Sequence, residues 1–249
     1  METFYLIIST IYGVMIGSFL NVCIYRIPKN ENIVKINSHC MTCGKRIKWY
    51  DLVPLMSFLL LRGKCRYCKT KLSIQYPLVE FANGLIYFII VFIKGFNVES
   101  VLYCLCASAM LALSVIDWRT FEIPFAFNIF IGILGIIRLL TDLSHWYTYV
   151  IGFLSVSGFL YLLLILTKGR GIGGGDVKLM AAAGLLVGWK LIILSLALGS
   201  ILGSIIHIVL MRIQNKDRVL AFGPYLSLGI FISMLFGNEM IEWYLNMFY

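Results

Sequence analysis

Gly171-Ile172-Gly173-Gly174-Gly175-Asp176-Val177-Lys178-Leu179-Met180 is the stretch on which the reading of this chain turns. A long apolar run closes before it at Thr167, and small apolar residues, Ala181-Ala182-Ala183, follow it. Consecutive glycines permit positive φ and close backbone approach, and they set a carboxylate where a helix would begin. Asp176 is thus either an N-cap accepting a backbone N–H or an acid held at a membrane surface by a glycine hinge, Gly173, Gly174 and Gly175. A second carboxylate on the same side would decide between the two.

The composition establishes the setting. Of 249 residues 60% are hydrophobic and 13% charged, with mean hydropathy +0.90, whereas soluble domains carry about 25% charged residues. This is an all-α polytopic membrane protein. Eight apolar segments, about 4–25, 74–93, 98–116, 123–140, 146–167, 177–187, 191–211 and 220–236, are expected as transmembrane helices, most of them near the ~20 residues that cross ~30 Å of hydrocarbon. The sixth is short: a stub in a protein-lined region or a re-entrant segment. The first lacks a positive flank before it, so it reads as a retained span rather than a signal peptide.

Net charge is +9. The basic residues, Lys35, Arg170, Lys216 and Arg218 among them, gather in loops that share one side; only Lys94, Arg138 and Lys190 fall on the other. By the positive-inside asymmetry the long first loop is cytoplasmic and both termini lie outside. Anionic membrane lipids, not nucleic acid, account for the charge. The chain divides into a first helix at 1–25, a cytoplasmic loop domain at 26–73 and a transmembrane body at 74–249.

That loop carries Cys40-Met41-Thr42-Cys43 and Cys65-Arg66-Tyr67-Cys68, two Cys-x-x-Cys pairs 21 residues apart. The spacing matches a zinc-ribbon-like site for structural Zn²⁺; the alternative is four reduced or regulatory thiols, disulfides being disfavoured in the cytoplasm. His39 is surplus to a four-sulfur site. Cys23, Cys104 and Cys106 lie in apolar spans as small buried hydrophobes, and His145 and His207 have no matched partners.

Three acids touch the spans. Glu80, near the start of the second, is a functional candidate by virtue of its place, or else it snorkels or pairs with a loop arginine. Asp117 closes the third span in Ile116-Asp117-Trp118-Arg119-Thr120, before Ile123-Pro124 opens the fourth with proline at a helix start. An even number of crossings separates Asp117 from Asp176, so both reach the cytoplasmic face. Two carboxylates sharing a proton suffice for hydrolysis. The chain has no His-Glu-x-x-His motif and no Ser/His/Asp set to compete with them. Transporter acids sit nearer the midplane.

Gly173, Gly175 and Asp176 fit the Gly-x-Gly-Asp signature of intramembrane aspartyl proteases. The wider chain resembles the type IV prepilin peptidases, the A24 leader peptidases. The resemblance lies in Gly17-Ser18-Phe19-Leu20-Asn21-Val22 through Arg26-Ile27-Pro28, both cysteine pairs, Gln75 through Glu80, Asp117 through Pro124, Gly171 through Leu179, and Phe222-Gly223-Pro224. One departure is Phe125, where the family often places a polar residue. The resemblance implies cleavage of the basic leader of type IV prepilin or pseudopilin precursors at the cytoplasmic face of the inner membrane, with Asp117 and Asp176 as the catalytic pair. It also implies methylation of the new N-terminus by S-adenosylmethionine, with Glu80 and Gly84 as candidates for that or a substrate site. A methyltransferase alone, or a zinc-ribbon scaffold for pilus or secretion assembly, are the alternatives. Glu122 and Asp51 are expected to soften the positive field near the site.

Overall fold

The computed structural model describes residues 2–34, 37–169, 171–214 and 220–247; Lys35, Arg170, Lys216 and Arg218, used in the charge count, lie outside them. Among the described residues the chain is helical, with two isolated β-bridges, His39 with Arg46 and Lys64 with Lys71. The helices are α1 (Glu2–Arg26), α2 (Met56–Leu60), α3 (Gln75–Lys94), α4 (Val98–Thr120), α5 (Phe125–Thr141), α6 (Trp146–Leu166), α7 (Gly174–Val187), α8 (Trp189–Gln214) and α9 (Gly223–Asn246). Lipid offers no partner to backbone polar groups, so apolar runs of this length close their hydrogen bonds internally as helices. Six of them, α1, α3, α4, α6, α8 and α9, are long and apolar enough to cross a membrane. With the shorter apolar α5 and α7 they account for the eight expected segments.

The boundaries move where polar residues hid helix from hydropathy. α4 runs four residues past Ile116, so Asp117 lies in its last turn. α7 begins at Gly174 rather than Val177, and α9 continues through Glu239 and Glu242 to Asn246. Pro124 caps α5 instead of occupying its first turn.

The chain condenses into two compact units, Met1–Cys104 and Leu105–Tyr249. In the first, α1 packs along α3, and a Cβ on Gly84 would stand 2.5 Å from Val14 Cγ2. Buried amides lock this seam: Asn83 Nδ2 donates to the Gly13 carbonyl at 2.7 Å and Asn21 Nδ2 to the Tyr76 carbonyl at 3.1 Å. The loop between α1 and α3 is tied back by Arg26, whose guanidinium donates to the carbonyls of Asn32, Ile33 and Asn37.

In the second unit α7 is the central strut. Its Leu179, Met180, Ala183 and Leu186 are fully buried, and it packs against α5, α6, α8 and α9. Gly174 faces Leu164 near the end of α6, Gly184 meets Gly152 backbone to backbone, and Gly188 meets Thr148 near the start of α6. The sixth segment therefore runs along most of the length of α6 and hands over to α8 at the opposite end. Fourteen residues, ~21 Å of helix, suffice because protein, not lipid, surrounds them.

Candidate functional site

The ends of three elements and one loop meet at one end of the second unit. Asp117 comes from the last turn of α4, Asp176 from the first turn of α7, and Gly223 opens α9. Both aspartates are buried, and both line one cavity of about 320 Å³ with Phe121, Glu122, Ile123, Gly173, Gly174 and Gly175. Asp117 Oδ2 accepts a hydrogen bond from the Gly223 backbone N–H at 2.9 Å. That donor is one of the N–H groups a helix leaves unpaired at its start, where the dipole also favours an anion.

Why the sequence folds this way is local. Ile123, in the short link from α4 to α5, wedges between the two helix starts: a Cβ on Gly175 would lie 3.0 Å from Ile123 Cβ, and one on Gly223 3.2 Å from Ile123 Cδ1. Proline after Gly223 suits the first turn of α9. The glycine run serves close approach rather than unusual dihedrals, since Gly173, Gly174 and Gly175 do not take positive φ. Gly173 is the N-cap, and Asp176 is the third helical residue. Its carboxylate folds back over Gly173, where an added Cβ would sit 3.1 Å from Asp176 Oδ2.

The four loop cysteines converge in the first unit. The Sγ atoms of Cys40, Cys43, Cys65 and Cys68 all lie within 4.8 Å of one another, and those of Cys40 and Cys68 are 3.8 Å apart. A tetrahedral zinc with Zn–S bonds of ~2.3 Å holds its sulfurs about 3.8 Å apart, so the four thiolates fit the ion. Two matching knuckles produce this. Cys40 N donates to the Lys45 carbonyl and Gly44 N to the Cys40 carbonyl; likewise Cys65 N donates to Thr70 and Lys69 N to Cys65. The fifth residue of each knuckle takes positive φ, Gly44 at 68° and Lys69 at 59°. Thr70 draws the Cys68 thiol down to about 6, toward the thiolate a metal needs. His39 bonds the Asn37 carbonyl and stands outside the cluster.

Glu80 is buried, and its Oε2 accepts the Leu55 N–H at 2.8 Å, a backbone partner rather than the arginine the sequence suggested. It lines a second cavity, about 390 Å³, together with Ser18, Asn21, Tyr25, Tyr76 and Cys40, all in the first unit. Gly84 faces the α1–α3 seam, where it makes room for Val14.

A model of the bacterial peptidase A24 N-terminal domain matches residues 11–94, and one of the type IV leader peptidase family matches residues 104–208. A Pseudomonas putida protein called prepilin leader peptidase/N-methyltransferase is 31% identical over 95% of this chain and 92% of its own length.

The chain belongs to the type IV leader peptidase family.

Leader peptidase relatives with the same name in Pseudomonas aeruginosa and Bacillus subtilis are each 30% identical, covering 97% and 95% of this chain and 94% and 96% of their own lengths. No solved structure matches the chain significantly. Two site features escaped sequence reasoning: the Gly223 N–H and the Ile123 wedge. Both fall in stretches that carried the resemblance, Phe222-Gly223-Pro224 and Asp117 through Pro124, but a backbone donor leaves no chemical mark in a sequence. Asp51 is held by Arg66 in a bidentate pair at 2.5 and 2.8 Å, which lowers its proton affinity and cancels one positive charge of the loop. His145, read as unpartnered, binds Asp142 at 2.9 Å.

Proposed function

We propose that the chain is an aspartic endopeptidase of the cytoplasmic membrane that removes the basic leader from type IV prepilin-like precursors, with Asp117 and Asp176 as its catalytic pair. The observation that carries this reading is the shared cavity: two buried carboxylates from different helices line one space. Two carboxylates brought together over one substrate carbonyl can share a single proton. The ionised one takes a proton from water, and the protonated one donates to the scissile carbonyl, so the tetrahedral intermediate forms without metal or covalent nucleophile. Asp117 is oriented by the Gly223 N–H. Glu122, exposed at the rim of the same cavity, supplies a negative charge toward a basic leader. The Lys and Arg asymmetry supports placing this end of the second unit on the cytoplasmic side, with both termini outside.

A second reading adds N-methylation of the new N-terminus, as the relatives' names state for them. The cavity of the first unit supports it. Its volume suits a ligand of drug-like size, and Glu80 with Tyr76 offers a carboxylate and an aromatic ring to a cationic sulfonium. S-adenosylmethionine would supply the methyl group there; these side chains would bind and orient it. The four-cysteine site beside that cavity would hold zinc structurally, since a closed four-sulfur shell leaves no open position.

Cleavage of a purified prepilin by wild type, Asp117→Asn and Asp176→Asn tests the first reading, with melting temperature as the control for folding. Loss in both variants is expected. Retained cleavage in either would return that aspartate to helix capping and favour a scaffold. Calorimetric titration with S-adenosylmethionine tests the second: binding should survive both aspartate changes and fall in Glu80→Ala.

A further inference from the structure

The loop of the first unit contains an apolar run, Leu52-Val53-Pro54-Leu55-Met56-Ser57-Phe58-Leu59-Leu60-Leu61, that is too short to cross a membrane. It folds as a turn followed by α2, and it has two faces. Phe58 and Leu61 look inward and line the 390 Å³ cavity. Met56, Leu59 and Leu60 look outward, 55%, 69% and 78% exposed, with Trp49 before them 80% exposed. Exposed Lys48 and Arg62 bracket the run.

Its height is fixed by one bond. Leu55, at φ 58°, donates its N–H to Glu80 Oε2, and Glu80 is the sixth residue of the membrane-spanning α3. That ties the Leu55 backbone to the first turns of α3, near the start of the helix. A segment tied to the start of a helix long enough to span lies near the level where such a helix leaves the hydrocarbon. Apolar side chains flanked by bases at such a level are the pattern of an interfacial element, apolar face down and cations raised to the phosphates.

We infer that Trp49–Arg62 is a monotopic foot of the zinc-knuckle loop, seated in the anionic phospholipid leaflet that α1 and α3 cross. It fixes the roof of the first unit's cavity against the membrane surface. Two observations select lipid as the occupant: the run is tethered to the start of α3 through the Leu55–Glu80 bond, and the flanking cations complement acidic headgroups. A basic leader would be repelled by the same cations.

The test uses the full chain in nanodiscs of phosphatidylglycerol and phosphatidylcholine, with a benzophenone amino acid in place of Leu60 or, as a control on the knuckle, Lys69. Irradiation should give a phospholipid adduct at 60 and none at 69. Cross-links from 60 to residues 105–249, to an added prepilin instead of lipid, no adduct at all, or equal lipid adducts at both positions would overturn the inference. A second measurement guards against a perturbing label. Leu59→Glu with Leu60→Glu should speed amide exchange across 52–61 in anionic nanodiscs by roughly tenfold, with zinc content unchanged. Equal exchange in wild type and variant would contradict the foot.

Discussion

Asp117 Oδ2 receives the backbone N–H of Gly223 at 2.9 Å across 106 positions of sequence. This bond fixes the carboxylate at the end of α4 by means of the start of α9, so the geometry of the proposed catalytic acid depends on a residue with no side chain. A Cβ at Gly223 would fall 2.7 Å from that same oxygen.

Gly223→Ala should therefore lower kcat for prepilin cleavage by about 100-fold, the usual scale for an ångström of misplacement, while the melting temperature changes little. Steady-state kinetics beside thermal melts check it. Full activity in a folded variant would show that the bond does not set the acid.

Glu80→Gln keeps an oxygen acceptor for the Leu55 N–H, and Glu80→Ala removes it. Leaving that donor unsatisfied costs about 1–3 kcal/mol, so the alanine variant should melt well below the glutamine one. If S-adenosylmethionine binding falls in both while only alanine loses stability, the carboxylate has a ligand role beyond holding Leu55.

Zinc retention should fall on acidification. Thiolates bind the ion and protons compete for them, so zinc is released as pH falls, and Thr70, by drawing the Cys68 thiol down, extends retention toward lower pH. Thr70→Val removes the hydroxyl 3.3 Å from Cys68 Sγ. That raises the thiol's proton affinity, and the midpoint of zinc release should move to higher pH. A chelator-dye titration of zinc release against pH, in wild type and variant, reads it.

Gly84→Leu would drive a side chain into Val14 at the α1–α3 seam. Overpacking of this kind costs about 1–3 kcal/mol. A lowered melting temperature with cleavage intact is expected, since the seam lies in the first unit and the aspartates in the second.

Much of this was legible in the sequence, for identifiable reasons. Spans announce themselves because hydrocarbon demands long apolar runs, and the four cysteines because tetrahedral ligation demands short spacing. Helix ends were the weak point. Asp117-Trp118-Arg119-Thr120, the glycine run before Val177, and Glu239 with Glu242 all lowered local hydropathy, yet each continues a helix, since backbone hydrogen bonding is indifferent to side-chain polarity. The traverse of α7 was hidden as well: 14 residues look too few to cross until α5, α6, α8 and α9 replace the lipid around them. Counting crossings put Asp117 and Asp176 at one face; that they line one cavity is read from the structure. The Gly223 donor and the Ile123 wedge did not, because each is a tertiary contact made by backbone or by an ordinary apolar side chain.

The most direct measurement on the central claim is a double-mutant cycle on single-turnover cleavage, comparing Asp117→Asn, Asp176→Asn and the two together in folded protein. If the two acids work as one unit on one proton, each single change abolishes cleavage and the double variant is no worse than either. Losses that multiply, or a single variant that still cleaves, would contradict the pair.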